Sequence, residues 1–177
     1  MAETTGKGKI LRGQRAKWIS FDGIDWTLIG VRMDSESTNL NADINAGKDI
    51  TGAPYVDHNG FSPESDIDYQ PRKEDSIYPQ VQKITNELLK DEESCTFKMI
   101  VATLDIEVKD TGVKKATGTG YQVDVFCVPQ EDGGDTSGYT IPVNFYETGT
   151  RVQGTVSVEN KKPTFTPTGA TQEEASS

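Results

Sequence analysis

Residues 96–109 read TFKMIVATLDIEVK, and this stretch, the longest strand candidate of the chain, decides its fold class. From residue 103 onward, polar and apolar residues alternate strictly. Successive side chains of a β-strand point to opposite faces, so the alternation predicts a strand with one buried face and one wet face. A turn or hairpin tip over residues 110–118 and a second alternating run at 120–128 then predict an antiparallel partner strand.

Strand signals recur along most of the chain. Residues 17–21 and 26–33 flank Asp22 and Gly23, a dipeptide that is typical of tight hairpin turns. Three further strand candidates follow, at residues 38–45, 139–147 and 151–159. Together these runs predict a mainly β protein, an antiparallel β-sandwich or barrel whose strands are joined by hairpins.

A single α-helix is predicted over about residues 76–90. Four apolar residues recur there at i, i+4, i+7 and i+11, starting from Ile77, and make one apolar stripe. Asp75 or Ser76 is the expected N-cap, and Pro79 falls in the first turn, where proline is tolerated. One amphipathic helix is too little for a helical bundle, so we expect it to flank the sheet.

The chain has 177 residues, of which 33% are hydrophobic, and a net charge of −10. This length fits one domain, which we place at residues 16–163, between an extended basic N-terminal arm (1–15) and a loose C-terminal tail (164–177). A long loop rich in Gly, Pro and Asp precedes the helix. The acidic charge argues against a protein that binds nucleic acid tightly. No apolar run is long enough to span a membrane and no signal-peptide core is present, so we expect a protein that is cytoplasmic when made.

Patterns for catalysis and metal binding are lacking in the sequence. The only histidine, His58, lies in a Pro/Gly-rich loop without the companions of a triad or a zinc site. The acidic pairs at 66–68 and 132–135 lack the order of a calcium loop, and 118–120 lacks the rest of a phosphate-binding loop. We therefore expect no catalytic residue, no cofactor site and no metal site, and a protein that is not an enzyme. The two cysteines, Cys95 and Cys127, are expected to be buried free thiols.

The polar residues of the predicted strands are open to two interpretations. In the first, they are ordinary solvent-facing positions of a sandwich. In the second, some of them line a pore shared by several subunits, where acidic groups would repel DNA phosphates and keep the DNA mobile. The candidate pore-lining residues are Asp43, Asp105, Glu107 and Asp124.

Three motifs follow one another ahead of the helix: NADIN at residues 41–45, DITGAPYVDHNG at 49–60, and SPESDIDY at 62–69. In this order, with a helix and a β-rich segment after them, they resemble the major tail proteins, or tail tube proteins, of long-tailed (siphovirus-type) bacteriophages. The likeness covers about residues 40–158. It is carried by a pattern of residues and not by a catalytic signature.

The resemblance implies a structural protein of the virion tail, made in the bacterial host cytoplasm. In that family, which is similar in fold to type VI secretion tube proteins, subunits form hexameric rings that stack into a channel for DNA ejection. The implied partners are further copies of the chain and the tape measure, terminator and distal tail proteins. DNA would pass without specific binding, and no membrane is involved. The arm and the loop at 52–71 would link rings, through Lys7, Lys9, Arg12, Arg15, Tyr55, Phe61 and Tyr69.

The competing interpretation is a binding module, either a tail-associated β-sandwich or a carbohydrate-binding domain. A carbohydrate-binding domain would stack sugars on exposed aromatic rings, for which Trp18 and Trp26 are the candidates. At strand spacing, the same two residues are otherwise expected in a core or an interface.

Overall fold

A computed structural model of the chain describes residues 10, 14–29, 36–106, 115–135 and 138–169. In that part of the chain it has twelve strands and two helices. The strands are β1 (Arg15–Ser20), β2 (Thr27–Ile29), β3 (Glu36–Asn39), β4 (Ala42–Lys48), β5 (Pro54–Phe61), β6 (Glu64–Tyr69), β7 (Thr96–Leu104), β8 (Lys115–Pro129), β9 (Gly133–Asp135), β10 (Gly138–Glu147), β11 (Val152–Glu159) and β12 (Lys162–Pro167). The helices are α1 (Tyr78–Glu87) and α2 (Glu92–Cys95).

The main sheet is antiparallel throughout and runs in the order β2-β1-β7-β8-β10-β6-β3. Lys17 of β1 donates hydrogen bonds to Thr38 of β3 (2.5 Å) and to Ser65 of β6 (3.3 Å). Strand β1, next to one end of this order, therefore meets β6 and β3 at the other end, and the sheet curls toward a barrel. The predicted fold class, a mainly β antiparallel sandwich or barrel with a flanking helix, is confirmed.

The sheet forks at β8, the longest strand. Residues 115–122 of β8 pair with β11, which in turn pairs with β12, whereas residues 125–129 pair with β10. Charged side chains hold the fork together: Arg151 donates two hydrogen bonds to the Glu147 carboxylate, at 2.7 and 2.8 Å, and lies over the Tyr121 ring at 4.3 Å. Such a bidentate pair is directional and specifies how the chain leaves β10 and enters β11.

Strands β1 and β7 lie between two hydrophobic cores. Ile19 and Met99 point into the larger core, which also receives Val81 of α1, while Trp18 and Ile100 point into the smaller core under β11 and β12. Each fully buried large apolar side chain contributes roughly 1.5–3 kcal/mol. Because the same two strands serve both cores, a chain with a modest hydrophobic fraction still builds a packed interior.

Two glycines allow β8 to approach β7 more closely than any other residue type would. A Cβ on Gly118 would lie 2.0 Å from the carbonyl oxygen of Thr103, and one on Gly120 would lie 2.0 Å from that of Val101. Such distances are far inside van der Waals contact. The Gly-Thr-Gly sequence at 118–120 therefore serves strand packing and not phosphate binding.

Helix α1 is shorter than predicted and is capped differently. Its N-cap is Ile77, without a side-chain cap bond, because the predicted cap Asp75 instead accepts hydrogen bonds from Tyr69 Oη and the Arg72 backbone. At the other end Leu88 adopts a left-handed conformation (φ 53°), which ends the helix and turns the side chain outward. Leu88 is 83% exposed, so its predicted place in the buried stripe is wrong.

Two segments differ from the predicted organisation. The long loop predicted at 52–71 is wrong, because most of it forms strands β5 and β6. The single strand predicted at 38–45 is interrupted at Asn41 (φ 46°), and its apolar members Leu40 and Ile44 are exposed and not buried.

Two strands extend beyond the predicted limits of the domain, residues 16 and 163. Arg15 begins β1, and residues 164–167 of the predicted tail belong to β12, because Phe165 packs against the smaller core. Residues 115–118 of the predicted turn belong to β8. The hairpin predicted around Asp22 and Gly23 is confirmed, with β1 and β2 paired on either side of it. Residues 1–9, 11–13 and 170–177 lie outside the described residues.

Strand β12 ends the sheet with an edge that carries two prolines, Pro163 and Pro167. The Thr168 backbone N–H donates to the Gln153 carbonyl at 2.8 Å, so even-numbered residues of β12 direct their backbone groups at β11. The odd-numbered residues direct theirs outward. Of the three that do so, only Phe165 carries an N–H.

Candidate assembly surfaces

Strands β4 and β5 form a two-stranded ribbon apart from the main sheet. Within the described part of the chain they pair with each other and with no other strand, and most of their residues are exposed. An isolated two-stranded hairpin is marginally stable in water. Local hydrogen bonds stabilise the turn: the Thr51 hydroxyl (2.6 Å) and the backbone N–H groups of Thr51 (2.8 Å) and Ala53 (3.0 Å) donate to the Asp49 carboxylate. These bonds, the Thr51 hydroxyl first, lower the pKa of Asp49.

The two faces of the ribbon differ in chemistry. Directly opposed residues share a face, and the face changes at each residue. The register, with one bulge after Asp43, therefore separates an apolar face from a polar one. The apolar face carries Ala42, Ile44, Ala46, Lys48, Pro54, Val56, His58 and Phe61, and the polar face carries Asp43, Asn45, Gly47, Tyr55, Asp57 and Gly60.

The apolar face is uncovered. Val56 is 68% exposed, and Ile44 and Phe61 are each more than half exposed. His58 packs only its ring against Phe61, with ring centroids 4.5 Å apart. Contiguous exposed apolar surface of this kind marks an interaction site more often than a solvated surface.

A second surface is the outer face of the sheet formed by β12, β11, the first half of β8 and the end of β7. The register places rows of hydroxyl side chains across these strands, because Thr155 lies opposite both Thr166 and Thr119, and Thr119 lies opposite Thr103. A parallel row joins Thr164, Ser157 and Thr117. We call these seven residues the hydroxyl face. Six of them are exposed, and Thr103 is half-buried.

The predicted pore-lining acids do not share one face. Lys98 pairs with Asp124, whereas Asp105 lies opposite Thr117, and these positions have opposite parity along β7 and β8. Asp105 and Asp124 therefore point to opposite sides of the sheet. Asp43 lies on the separate ribbon, and Glu107 is outside the described residues. The grouping of Asp105 and Asp124 on one wet face is wrong, because the hairpin register was not visible in the sequence.

Each of the two sheet acids already has a partner. Asp124 makes an ion pair with Lys98 at 3.4 Å. Because both side chains are exposed, water screens the two charges and the pair contributes little to the stability of the fold. Asp105 extends the edge of the hydroxyl face and accepts hydrogen bonds from the Thr117 backbone N–H (2.9 Å) and hydroxyl (3.2 Å). The backbone bond is the main reason that the pKa of Asp105 lies below its ordinary value of 3.8.

We expect Asp105→Ala to lower stability above pH 4 and to have no effect in strong acid. The carboxylate is favoured in the folded state, so its contribution is complete above the unfolded-state pKa of 3.8 and is lost as the pH falls through the lower folded-state pKa. The difference should be at most about 1 kcal/mol, because the group is exposed. Urea unfolding of both proteins from pH 7 to pH 2 measures it; a constant difference over this range would contradict the assignment.

The predicted inter-ring residues fall into four groups. Tyr55 and Phe61 are exposed on opposite faces of the ribbon, and the Tyr55 ring covers Gly47. Tyr69 is buried in the larger core, so a contact with another subunit through this residue is wrong. Arg15 donates to the Thr103 hydroxyl at 2.9 Å, beside the hydroxyl face. Lys7, Lys9 and Arg12 lie outside the described residues.

The residues considered for sugar stacking, thiol chemistry and metal binding lie in the following surroundings. Trp18 is fully buried and its indole N–H donates to the Lys161 carbonyl at 3.0 Å. Cys95 and Cys127 are buried free thiols, as predicted, and burial raises the pKa of both. Among the described residues, His, Cys, Asp and Glu side chains do not gather in groups of three or more that could hold a metal ion. Neither helix of the described segments is long and apolar enough to cross a membrane.

Comparison with known proteins finds no family model and no curated protein that matches this chain. Function is therefore inferred from the surfaces of the chain and from the sequence resemblance.

Proposed function

We propose that this chain is a structural subunit that self-assembles into stacked hexameric rings, the tube of a long-tailed phage, through which viral DNA is ejected. The observation that carries the proposal is the ribbon β4–β5, whose apolar face is uncovered. A folded domain that holds such a face in water completes its structure by association. The ribbon includes most of two of the three motifs that resemble tail tube proteins.

The hydroxyl face supports the same proposal. It is a wide, regular surface of Thr and Ser on four strands. The cations next to it are Lys115 and Lys162, which flank Glu159 in the cross-strand register, and Arg15, which donates to Thr103. Asp105 adds a second carboxylate at its edge. DNA affinity comes mainly from Lys and Arg contacts with phosphates. A wall of hydroxyl groups with this small and balanced charge would hydrogen-bond water and let DNA slide. We therefore place the channel wall at the hydroxyl face, in place of an acidic wall made by Asp105 and Asp124 together.

The alternative is a tail-associated or carbohydrate-binding module. Trp18 is excluded as a sugar platform by its burial. Trp26 is half-buried and lines a cavity of about 600 Å³ together with Arg72 and Glu74, which is of a size that holds small ligands. Of the two tryptophans, only Trp26 is therefore open to a sugar, and a glycan site built on it would use this cavity.

Electron microscopy of the purified protein over a range of concentrations tests the proposal. We expect rings or tubes at high concentration. A triple variant with Ile44→Thr, Val56→Thr and Phe61→Thr keeps β-favouring residues on the ribbon but removes its apolar face, and should give folded monomers. Asn45→Thr, on the polar face, is the matched control and should assemble like the parent.

One outcome would contradict the proposal of self-assembly. A parent protein that stays monomeric at every concentration and binds a glycan, with loss of binding in Trp26→Ala, would replace the tube with the carbohydrate-binding module.

A further inference from the structure

A groove between helix α1 and the end of β8 is the second uncovered apolar surface of the described chain. It has a volume of about 510 Å³ and is lined by Leu88, Leu89, Phe126, Val128 and Pro129, with Glu131 and Asp132 among its polar residues. We call it the α1–β8 groove. In the described part of the chain the ribbon pairs with no strand of the main sheet, and it contributes no side chain to the larger core.

Leu88 marks this groove as more than a packing gap. It adopts the left-handed conformation that glycine or asparagine normally takes after a helix, and a leucine there is strained. In that conformation the side chain extends into solvent beside the groove, 83% exposed. Strain that keeps an apolar side chain in water lowers stability, and a contact of Leu88 with another molecule would offset that cost.

We infer that the apolar face of the ribbon in one copy docks in the α1–β8 groove of a second copy. Val56, Ile44 and Phe61 would cover the leucines and Phe126, so both uncovered apolar surfaces leave water in one contact. The charges also match, because the apolar face carries Lys48 whereas the groove is lined by two carboxylates, Glu131 and Asp132, against one cation, Lys90. This inference rests on the proposed self-assembly and names the surface that receives the ribbon.

The geometry of such a contact determines how copies add. Ribbon and groove are different surfaces of one chain, so the contact is heterologous and leaves one free ribbon and one free groove on every pair. A heterologous contact closes into a ring or continues as a helical filament, whereas a two-fold dimer would stop at two copies. The docking therefore supplies one of the contacts of a stacked-ring tube, either the contact within a ring or the contact between rings.

The single variant Leu88→Asn distinguishes a role of Leu88 in docking from a role in ending the helix. Asparagine tolerates the left-handed conformation, so the variant should melt at the same temperature as the parent or higher. If Leu88 only caps the helix, assembly will not change. If the groove receives the ribbon, we expect the concentration needed for half-assembly to rise about tenfold or more, a factor that corresponds to the loss of one apolar contact in an interface.

Cross-linking between cysteine variants tests the pairing itself. Val56→Cys and Leu88→Cys chains are mixed, assembled and oxidised mildly or treated with a short bis-maleimide. We expect covalent dimers in the mixture that do not form with either chain alone. Ile24→Cys, which replaces another highly exposed residue on the β1–β2 turn, is the control for Val56→Cys. Buried Cys95 and Cys127 should not react.

The outcomes separate the two proposals. If rings or tubes form, but Leu88→Asn assembles like the parent and no Val56–Leu88 product appears, the docking is wrong and self-assembly stands. If the parent does not assemble at any concentration, the proposed function itself fails. Reduced assembly together with the mixed cross-link supports both.

Discussion

Gly120→Ala should destabilise the fold strongly, because the added methyl group has no room. A Cβ at this position would lie 2.0 Å from the Val101 carbonyl oxygen and 2.7 Å from the Ala102 Cα, both backbone atoms of the neighbouring strand. Separating β7 from β8 would disturb both cores, since β7 contributes to each. We expect a loss of about 3 kcal/mol or more, at the upper end of what overpacking costs.

Thermal unfolding measures this effect. For a chain of this length, a loss of about 3 kcal/mol corresponds to a fall of roughly 6–12 °C in Tm. Gly138→Ala is the matched control: it is also a strand glycine, but a Cβ there would meet nothing within 4 Å. The control should change stability by less than about 0.5 kcal/mol. Equal Tm values for the two variants would show that β8 can shift away from β7 without loss.

Trp18→Ala should lower stability by about 3–5 kcal/mol, the range for a large aromatic removed from a core. The ring is fully buried in the smaller core, and its N–H bond to Lys161 ties β1 to the β11–β12 turn. The core would lose the side chain that fills the space between β1 and the overlying strands.

Trp26→Ala provides the comparison, because Trp26 packs only partly against the same core. Urea unfolding should show a clearly smaller loss than for Trp18→Ala. The comparison also bears on the two proposed functions, since an intact fold in Trp26→Ala is required before its glycan binding can be interpreted. Similar losses for the two variants would mean that Trp26 is a core residue as well, which would exclude both tryptophans as sugar platforms.

Much of the fold follows from hydrophobic periodicity. The period of two located β7, β8 and β11, and the Asp22-Gly23 turn located the first hairpin. The same period does not reveal the second hydrophobic core. Alternation shows which residues share a face, but β7 is buried on both faces in its centre, and only tertiary packing places a second core there.

The ribbon could not be predicted from its composition. Gly52, Pro54 and Asp49 are typical of loops, yet Pro54 occupies the first position of β5, where a strand accepts proline. The apolar face of the ribbon could not be predicted for a second reason. The bulge after Asp43 shifts the register by one residue and brings Phe61 onto the same face as Ile44.

The assembly residues depended on register in the same way. Asp105 and Asp124 both alternate with apolar neighbours, but their relation across the hairpin is set by the pairing of Lys98 with Asp124. A shift of one residue would have placed them together. Leu88 fitted the helical stripe in spacing, and only its left-handed backbone, a feature invisible in the pattern, turns it into solvent.

The prolines of β12 bear on how safely many copies of this chain can accumulate before they assemble. A strand from another molecule that approached this edge would find a single hydrogen-bond donor, at Phe165, between two positions that have none. Fibrils of the cross-β type need a donor at every second residue, so they cannot grow from this end of the sheet. At this edge, contacts between crowded subunits are therefore left to side-chain surfaces, whose geometry limits the forms that they can build.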